Sequence, residues 1–381
     1  MAEPLIRTLH LLPALDEGGV ERSVINTAIL EKSLNVLPTV VSCGGKMAIE
    51  LTAAGIDHLT WPMASKNPLT IIRNAHHLAN LIRERDIHIV HAHSRAPAWS
   101  GYLAGRLTKT PFVTTFAGAY SHQNWVKRWY NSSMTRGGAL FVPSNFVRDH
   151  VATVYGVAVE RITLMPLWLP PALPVSAIEK EEFRRRCGIP PECKLVTIIG
   201  RLTRLKGHEL LIRAFSLVEN RDARLLIIGT PKREGYETEL KSLARRLEVA
   251  DRVVFAGGGL DKARRAYSIS DMVVSSSTKP EAFGLTMLEA ASQGLPVVAT
   301  AHGGALDLVI DRRTGFLVPP NDLAALATGI SNVLRLSPEA YATMSAEARS
   351  HAASFTHDAV APHLLEVYRR LLDKGERGAG R

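Results

Sequence analysis

Short apolar runs alternate along this chain with longer stretches in which apolar residues return every third or fourth position, the two periods of strand and helix. In the first half IRTLHLLP, LPTVVSCG, IDHLTWP, IHIVHAHS, PFVTTFAG and ALFVPS predict strands. Between them GVERSVINTAILEKS, the segment 47–54, PLTIIRNAHHLANLIRERD and RAPAWSGYLAGRL predict helices. The second half restarts the pattern. KLVTIIG, RLLIIG, RVVFAG, MVVSSS and PVVATA predict strands, with helices after Gly207, through 240–247, at 261–268 and at 285–292. Beyond Asp322 the pattern is helical: LAALATGISNVLRL, a helix opening on Pro338, and a last one over 359–372. The polar, glycine-rich tail KGERGAGR is expected to fray. Strands alternating with helices predict α/β units with parallel sheets. PLWLPPALP (166–174) separates the two series, and its four prolines exclude a helix and mark a connection between domains. A length of 381 residues also favours two domains over one. The expected boundaries are 1–170 and 171–355, followed by a closing helix and tail over 356–381.

The most informative stretch is KPEAFGLTMLEAASQG (279–294), between the strand MVVSSS and the strand PVVATA. Glu281 lies in the loop and Glu289 about one turn inside the following helix, with Gly284 at the turn. The first N–H groups of a helix have no partner within it, so with the dipole they form an anion site. A carboxylate can accept from two adjacent hydroxyls at once. Phosphate donors between two hydroxyl acceptors suit a sugar joined to a phosphate. Glutamates at helical spacing are more often a solvated face. Here the pair brackets a strand-to-helix turn, where α/β sheets bind ligands. The glycine loop HGGALD follows, and a basic loop, GRLTRLKG, lies upstream with Arg201 and Lys206. That loop lacks the spacing of a P-loop, and Gly18 with Gly19 after the first strand lacks the dinucleotide fingerprint.

The run from Glu281 to Glu289 resembles the Glu–seven residues–Glu signature of the retaining GT-B glycosyltransferases, family 4 (group 1 glycosyl transferases) in particular. GRLTRLKG, EAASQGLPVVAT, the glycine pair at 303–304 and TGFLVPPND (314–322) stand in that family's order. The resemblance covers nearly the whole chain and is strongest from 195 to 325. It implies an α/β, GT-B fold: two Rossmann-like doubly wound domains facing a central cleft, acceptor-side first and nucleotide-sugar-binding second. The last helix is expected to cross back onto the first domain. The implied activity moves a sugar from a nucleotide-sugar donor to a hydroxyl acceptor with retained anomeric configuration, in lipopolysaccharide or other cell-surface glycan or glycolipid synthesis. By the same resemblance Glu289 holds the ribose and Glu281 the transferred sugar. Arg201, Lys206, Gly284 and Leu285 hold the diphosphate; Gly19, Leu260 and Phe283 complete the donor site, and the base lies near 257–260. A UDP-sugar is expected over a GDP-sugar, on family frequency. Catalysis is assigned to Arg201, Lys206, Glu281 and position 117. TTFAG (114–118) stands where relatives commonly read T-F-H-G, so Ala117 replaces a histidine. Either this branch does without the imidazole or the chain is a variant that lost it.

Composition narrows the rest. Hydrophobic residues at 46% and charged residues at 22% are ordinary for a globular protein. The net charge of +10 points to anionic partners. No nucleic-acid motif accompanies it, so nucleic acid is not an expected partner. Three cysteines give no disulfide framework or metal spacing, which suits the reducing cytosol. No apolar run approaches the ~20 residues of a bilayer span, and MAEPLIRTLHLLP reads as a first strand rather than a secretory signal. There is no Asp-x-Asp pair, and HAH at 91–93 lacks a third ligand at a useful spacing. Those histidines are expected at a strand end facing the cleft, and no metal is expected to be required. Residues 91–150 hold seven Arg/Lys against one acid, with Trp99, Trp125 and Trp129. Basic and aromatic residues together suit an anionic headgroup surface; a core-packing helix with a solvated basic face is the competing reading. The expected location is cytoplasmic, with peripheral contact at the inner face of the cytoplasmic membrane, and the acceptor a glycan or lipid-linked. Two further readings stand beside transfer: a non-catalytic sugar-nucleotide-binding protein, and a GT-B epimerase or hydrolase.

Overall fold

The computed structural model describes residues 5–16, 18–120, 124–170 and 173–379, with side chains through Asp373. The chain divides into two compact units, Met1–Pro170 with Thr356–Arg381, and Pro171–Phe355.

The first unit is built on a 7-stranded sheet of β1 (Ile6–Leu11), β2 (Val36–Ser42), β3 (Asp57–Thr60), β4 (Ile89–Ala92), β5 (Phe112–Thr115), β6 (Ala139–Val142) and β7 (Ile162–Leu164), in the order β3-β2-β1-β4-β5-β6-β7. Every pairing is parallel. β4, β5 and β6 are buried along their whole length, as in parallel sheets covered by helices on both faces. The strand order reverses between β1 and β4, the topological switch point where such sheets bind ligands. The helix Gly19–Ser33 leaves the loop after β1. The helix His357–Ala379 closes this unit, with Val360, Leu364, Val367, Tyr368 and Leu371 in one core with Ile6, Ile89, Val113 and Phe141. Its backbone stays helical to Ala379, so most of the tail expected to fray continues the helix. Each added residue past an anchored helix gains one bond without a new nucleation cost.

The second unit has a 6-stranded sheet: β8 (Leu195–Ile199), β9 (Arg224–Ile228), β10 (Val253–Gly257), β11 (Met272–Ser275), β12 (Val297–Thr300) and β13 (Gly315–Val318), in the order β10-β9-β8-β11-β12-β13. Val196, Ile198, Leu225, Ile227, Val274 and Val298 fill its core with Leu211 and Phe215 of the helix His208–Ser216. Here the order reverses between β8 and β11, which pair through Met272 with Val196 and Val273 with Thr197. Parallel pairing brings the loops that follow these two strands, 200–207 and 276–284, to one edge of the sheet.

Candidate active site

Those two loops are stitched together by contacts that only their own residues permit. Gly207 adopts a left-handed backbone (φ 71°), and a Cβ on it would lie 1.8 Å from the Ser276 carbonyl oxygen. The Ser276 hydroxyl donates to the carbonyls of Lys206 and Gly207, each at 3.1 Å, and the Thr278 N–H donates to the Leu205 carbonyl at 2.8 Å. With the backbones fixed, Lys206 Nζ reaches Glu281 Oε2 at 2.6 Å, while Glu281 Oε1 accepts from the Ser277 hydroxyl. The Ser277 carbonyl accepts in turn from Thr300 Oγ1 at 2.9 Å and lies 2.8 Å from His302 Nε2. Burial pushes the Glu281 carboxyl upward in pKa, but the Lys206 ammonium and the Ser277 hydroxyl more than offset it, holding it below the usual range. Glu281 is therefore ionised at neutral pH.

The glycine pair supports the same loop. A Cβ on Gly303 would lie 2.4 Å from the Glu281 carbonyl oxygen, and one on Gly304 2.2 Å from that of Phe283. The Gly304 N–H donates to the Glu281 carbonyl at 2.9 Å. Phe283 is buried edge-on to Phe355, with centroids 5.9 Å apart, so its ring anchors the loop. Gly284, left-handed at φ 107°, caps the helix Leu285–Ser292 without a side-chain bond to the first turn. The anion site predicted at Leu285 is thus an uncapped helix start. One turn on, Glu289 Oε2 accepts from the Tyr267 hydroxyl at 2.5 Å. Tyr267 belongs to the helix Leu260–Ile269, whose first residue, Leu260, is 69% exposed. Arg201 is exposed on the loop after β8. Lys206, Glu281, Phe283, Gly284 and Leu285 therefore share one strand-end edge with Arg201, and Glu289 is joined through Tyr267 to the helix that Leu260 opens.

The other two predicted positions lie in the first unit. Gly19 opens the helix after β1, and a Cβ there would meet nothing within 4 Å, so the protein's own packing does not demand glycine. Ala117 lies just past β5, half-buried beside the fully buried Phe116.

One expectation for the HAH histidines is corrected: they stand at the end of β4, but a third imidazole is at hand. His91 and His93 are buried inside the first unit, and β1 supplies a third imidazole, His10, with ring nitrogens of all three within 4.8 Å of one another. Separation in the chain hid this neighbour, which the β1–β4 pairing brings alongside. The group is a hydrogen-bonded chain in which the partners fix the protons. Thr115 Oγ1 donates to His91 Nε2 (2.8 Å), and His91 Nδ1 donates to the Tyr368 hydroxyl (3.0 Å). Tyr368 donates to Glu31 Oε1 (2.7 Å), while Thr8 (2.6 Å) and His10 Nε2 (2.8 Å) donate to Oε2. His93 Nε2 donates to His10 Nδ1 (2.9 Å). Burial first, and neighbouring imidazoles second, push His91 and His93 well below the ordinary histidine pKa, which keeps them neutral. The rings of His91 and His93 stack, 4.1 Å between centroids.

The basic, aromatic segment resolves into an exposed face. In the helix Trp125–Asn131, Trp125 is 78% and Trp129 56% exposed, and Lys127 and Arg128 face solvent. Of the three tryptophans Trp99 is the one tucked in, its ring tilted 30° and 4.8 Å from that of Trp129, its indole N–H donating to the Tyr130 carbonyl at 3.0 Å.

Known proteins fit this architecture. Residues 17–173 match the family model described as Glycosyltransferase Family 4, and residues 179–351 the one described as Glycosyl transferases group 1. A glycosyltransferase from Rickettsia africae ESF-5, known from its crystal structure, is 32% identical with a TM-score of 0.89, over 96% of this chain and 98% of that one. Anabaena HepE, solved in complex with UDP and glucose, shares the fold at 20% identity and a TM-score of 0.83, over 96% of this chain and 100% of that one. Among curated sequences, D-inositol 3-phosphate glycosyltransferase of Salinispora arenicola is 38% identical over 196 residues, 49% of this chain and 43% of that one. The chain spans about half the length of the curated relatives it matches. With a family model on each unit and near full-length likeness to a solved glycosyltransferase, the chain belongs to the glycosyltransferases and has their GT-B fold.

Proposed function

We propose that this protein transfers a sugar from a nucleotide-sugar donor to a hydroxyl acceptor with retention of configuration, its second unit holding the nucleotide diphosphate. The observation that carries this is the cluster at the β8/β11 edge: Lys206 2.6 Å from Glu281, beside the uncapped helix start at Gly284 and Leu285. When the bond between the anomeric carbon and the β-phosphate oxygen breaks, negative charge grows on the diphosphate. Arg201, Lys206 and the Leu285 N–H stabilise that charge, and preorganised donors of this kind are the largest lever such a site has. Glu281 orients the sugar hydroxyls and Glu289 the ribose. The acceptor oxygen bonds the anomeric carbon on the face the phosphate leaves, its proton passing to the departing phosphate oxygen. No protein nucleophile is then needed, and cations with helix N–H groups stand in for a divalent metal.

A UDP-sugar is the favoured donor, in keeping with the UDP bound by the fold neighbour HepE. The acceptor is a glycan, lipid-linked or phosphorylated polyol hydroxyl in cell-surface glycan synthesis, lipopolysaccharide included. The inositol 3-phosphate relatives lend weight to the polyol. Exposed Trp125, Val126 and Trp129 beside Lys127 and Arg128 support peripheral contact with an anionic membrane, at the inner face of the cytoplasmic membrane. No helix among the described residues is long and apolar enough to cross one. A second reading, donor binding with little turnover, is favoured by Ala117 alone.

The test follows UDP release from UDP-glucose and UDP-galactose, with D-inositol 3-phosphate or lipid-linked glycans as acceptors, in EDTA. Acceptor-dependent release that survives the chelator is expected. Acceptor-independent conversion of the donor would indicate an epimerase or hydrolase, and activity restored only by magnesium or manganese would contradict the metal-free reading.

A further inference from the structure

We infer that Tyr267 is a positioning residue for nucleotide recognition: its hydroxyl latches the Glu289 carboxylate in place for the ribose hydroxyls, and so helps set selectivity for ribonucleotides. The inference rests on the ribose role of Glu289 given above. Tyr267 is 4% exposed, and its hydroxyl lies 2.5 Å from Glu289 Oε2 and 3.2 Å from the Thr286 carbonyl oxygen. A phenol has one proton to give, and the shorter contact, to the charged acceptor, takes it. Burial, and then the Glu289 charge, raise the Tyr267 pKa well above the ordinary value, so this donor stays protonated throughout the working range. A carboxylate has about four acceptor positions, so it can accept from the tyrosine and from ribose hydroxyls together.

The latch also joins two parts of the site. Tyr267 stands on the helix Leu260–Ile269, which opens at the exposed Leu260 after β10, and Glu289 stands on Leu285–Ser292, which opens at the anion site. The phenol thus ties the helix that follows the base-side loop to the helix carrying the ribose acceptor. A half-buried glutamate without such a tie must give up rotamer freedom when a ligand binds, which costs affinity. Sites built to bond a hydroxyl discriminate strongly against analogues that lack it.

Isothermal titration of the full chain with UDP and with 2′,3′-dideoxy-UDP, for the wild type and Tyr267→Phe, tests this; the GDP pair serves where GDP is the tighter ligand. The wild type should prefer the ribonucleotide by at least about tenfold. Tyr267→Phe should weaken the ribonucleotide by about fivefold or more and change the dideoxy analogue by less than about twofold. Wild-type indifference to the ribose hydroxyls, or binding of neither pair, would overturn the Glu289 reading and the inference with it. Full discrimination in the variant, or equal losses for both ligands, would overturn the inference alone, the second outcome marking a purely structural tyrosine. Should Tyr267→Phe fail to fold, Tyr267→Met, also without the hydroxyl, is measured in the same way.

Discussion

Glu281 and Glu289 resemble each other in the sequence, and their neighbours set them apart. Glu289 is held by a neutral phenol, so Glu289→Ala should weaken nucleotide diphosphate binding by about 1–3 kcal/mol through the ribose hydroxyls left unpaired, as titration would show. Unchanged affinity would remove its assignment. Glu281 is held by Lys206. Glu281→Ala therefore frees a cation for the diphosphate, and nucleotide affinity should hold or rise while turnover of the sugar nucleotide falls. A parallel loss of both would erase the division of labour. Ala117 gives the third expectation. An imidazole at 117 could donate to a sugar hydroxyl and stabilise charge near the anomeric carbon, so Ala117→His should raise kcat by at least about tenfold, ~1.4 kcal/mol of transition-state stabilisation. A fall in kcat would mark alanine as a natural adaptation. These three residues were legible because they sit in contiguous motifs. Tyr267 was not, since nothing local links it to a glutamate that only the packing of two helices brings near. His10 escaped for the same reason.

Among the elements, the buried strands were readable because parallel sheets need continuous apolar runs, and KLVTIIG or RLLIIG can be little else. β7, β13 and the helix Asn145–Tyr155 went unread; β7 and β13 span three and four residues, too short for a period to show. The helix Ala177–Arg186 buries only Phe183, so periodicity is silent there and it too went unread; the capping box of Ser176 and Glu179 was the signal that could have found its start. The helix His208–Ser216, placed correctly after Gly207, carries a consequence of its own. His208 is fully buried, its Nε2 has no hydrogen-bond partner among the described residues, and burial pushes its pKa down to about 4. Between pH 6.5, the ordinary value, and about 4, the unfolded chain takes up a proton that the folded second unit refuses. Stability is thus complete above 6.5 and is lost as pH falls toward 4, by on the order of 3 kcal/mol. His208→Leu should flatten this slope, measured by urea unfolding at pH 7 and pH 5. Glu281 is common to both proteins. Parallel profiles would mean that His208 is protonated in the fold.

At the scale of the whole molecule the doubled strand–helix series foretold two parallel α/β units, and two sheets of 7 and 6 strands are what the chain forms. What the sequence left dark is how the last helix is fastened into the first unit. Tyr368 reaches Glu31 and His91 across hundreds of residues of chain, a contact no local pattern encodes. Each unit has its own core, so a ligand held by the second should raise that unit's unfolding transition; at a hundredfold excess over Kd the gain is ~2.7 kcal/mol. The most direct measurement is therefore a thermal-shift comparison of the wild type and Glu289→Ala with UDP, GDP, UDP-glucose and GDP-mannose, all in EDTA. One nucleoside diphosphate and its sugar should raise the wild-type transition without metal, and Glu289→Ala should lose most of that shift. A chain that none of these ligands stabilises, or a shift that Glu289→Ala keeps in full, would contradict the proposed function.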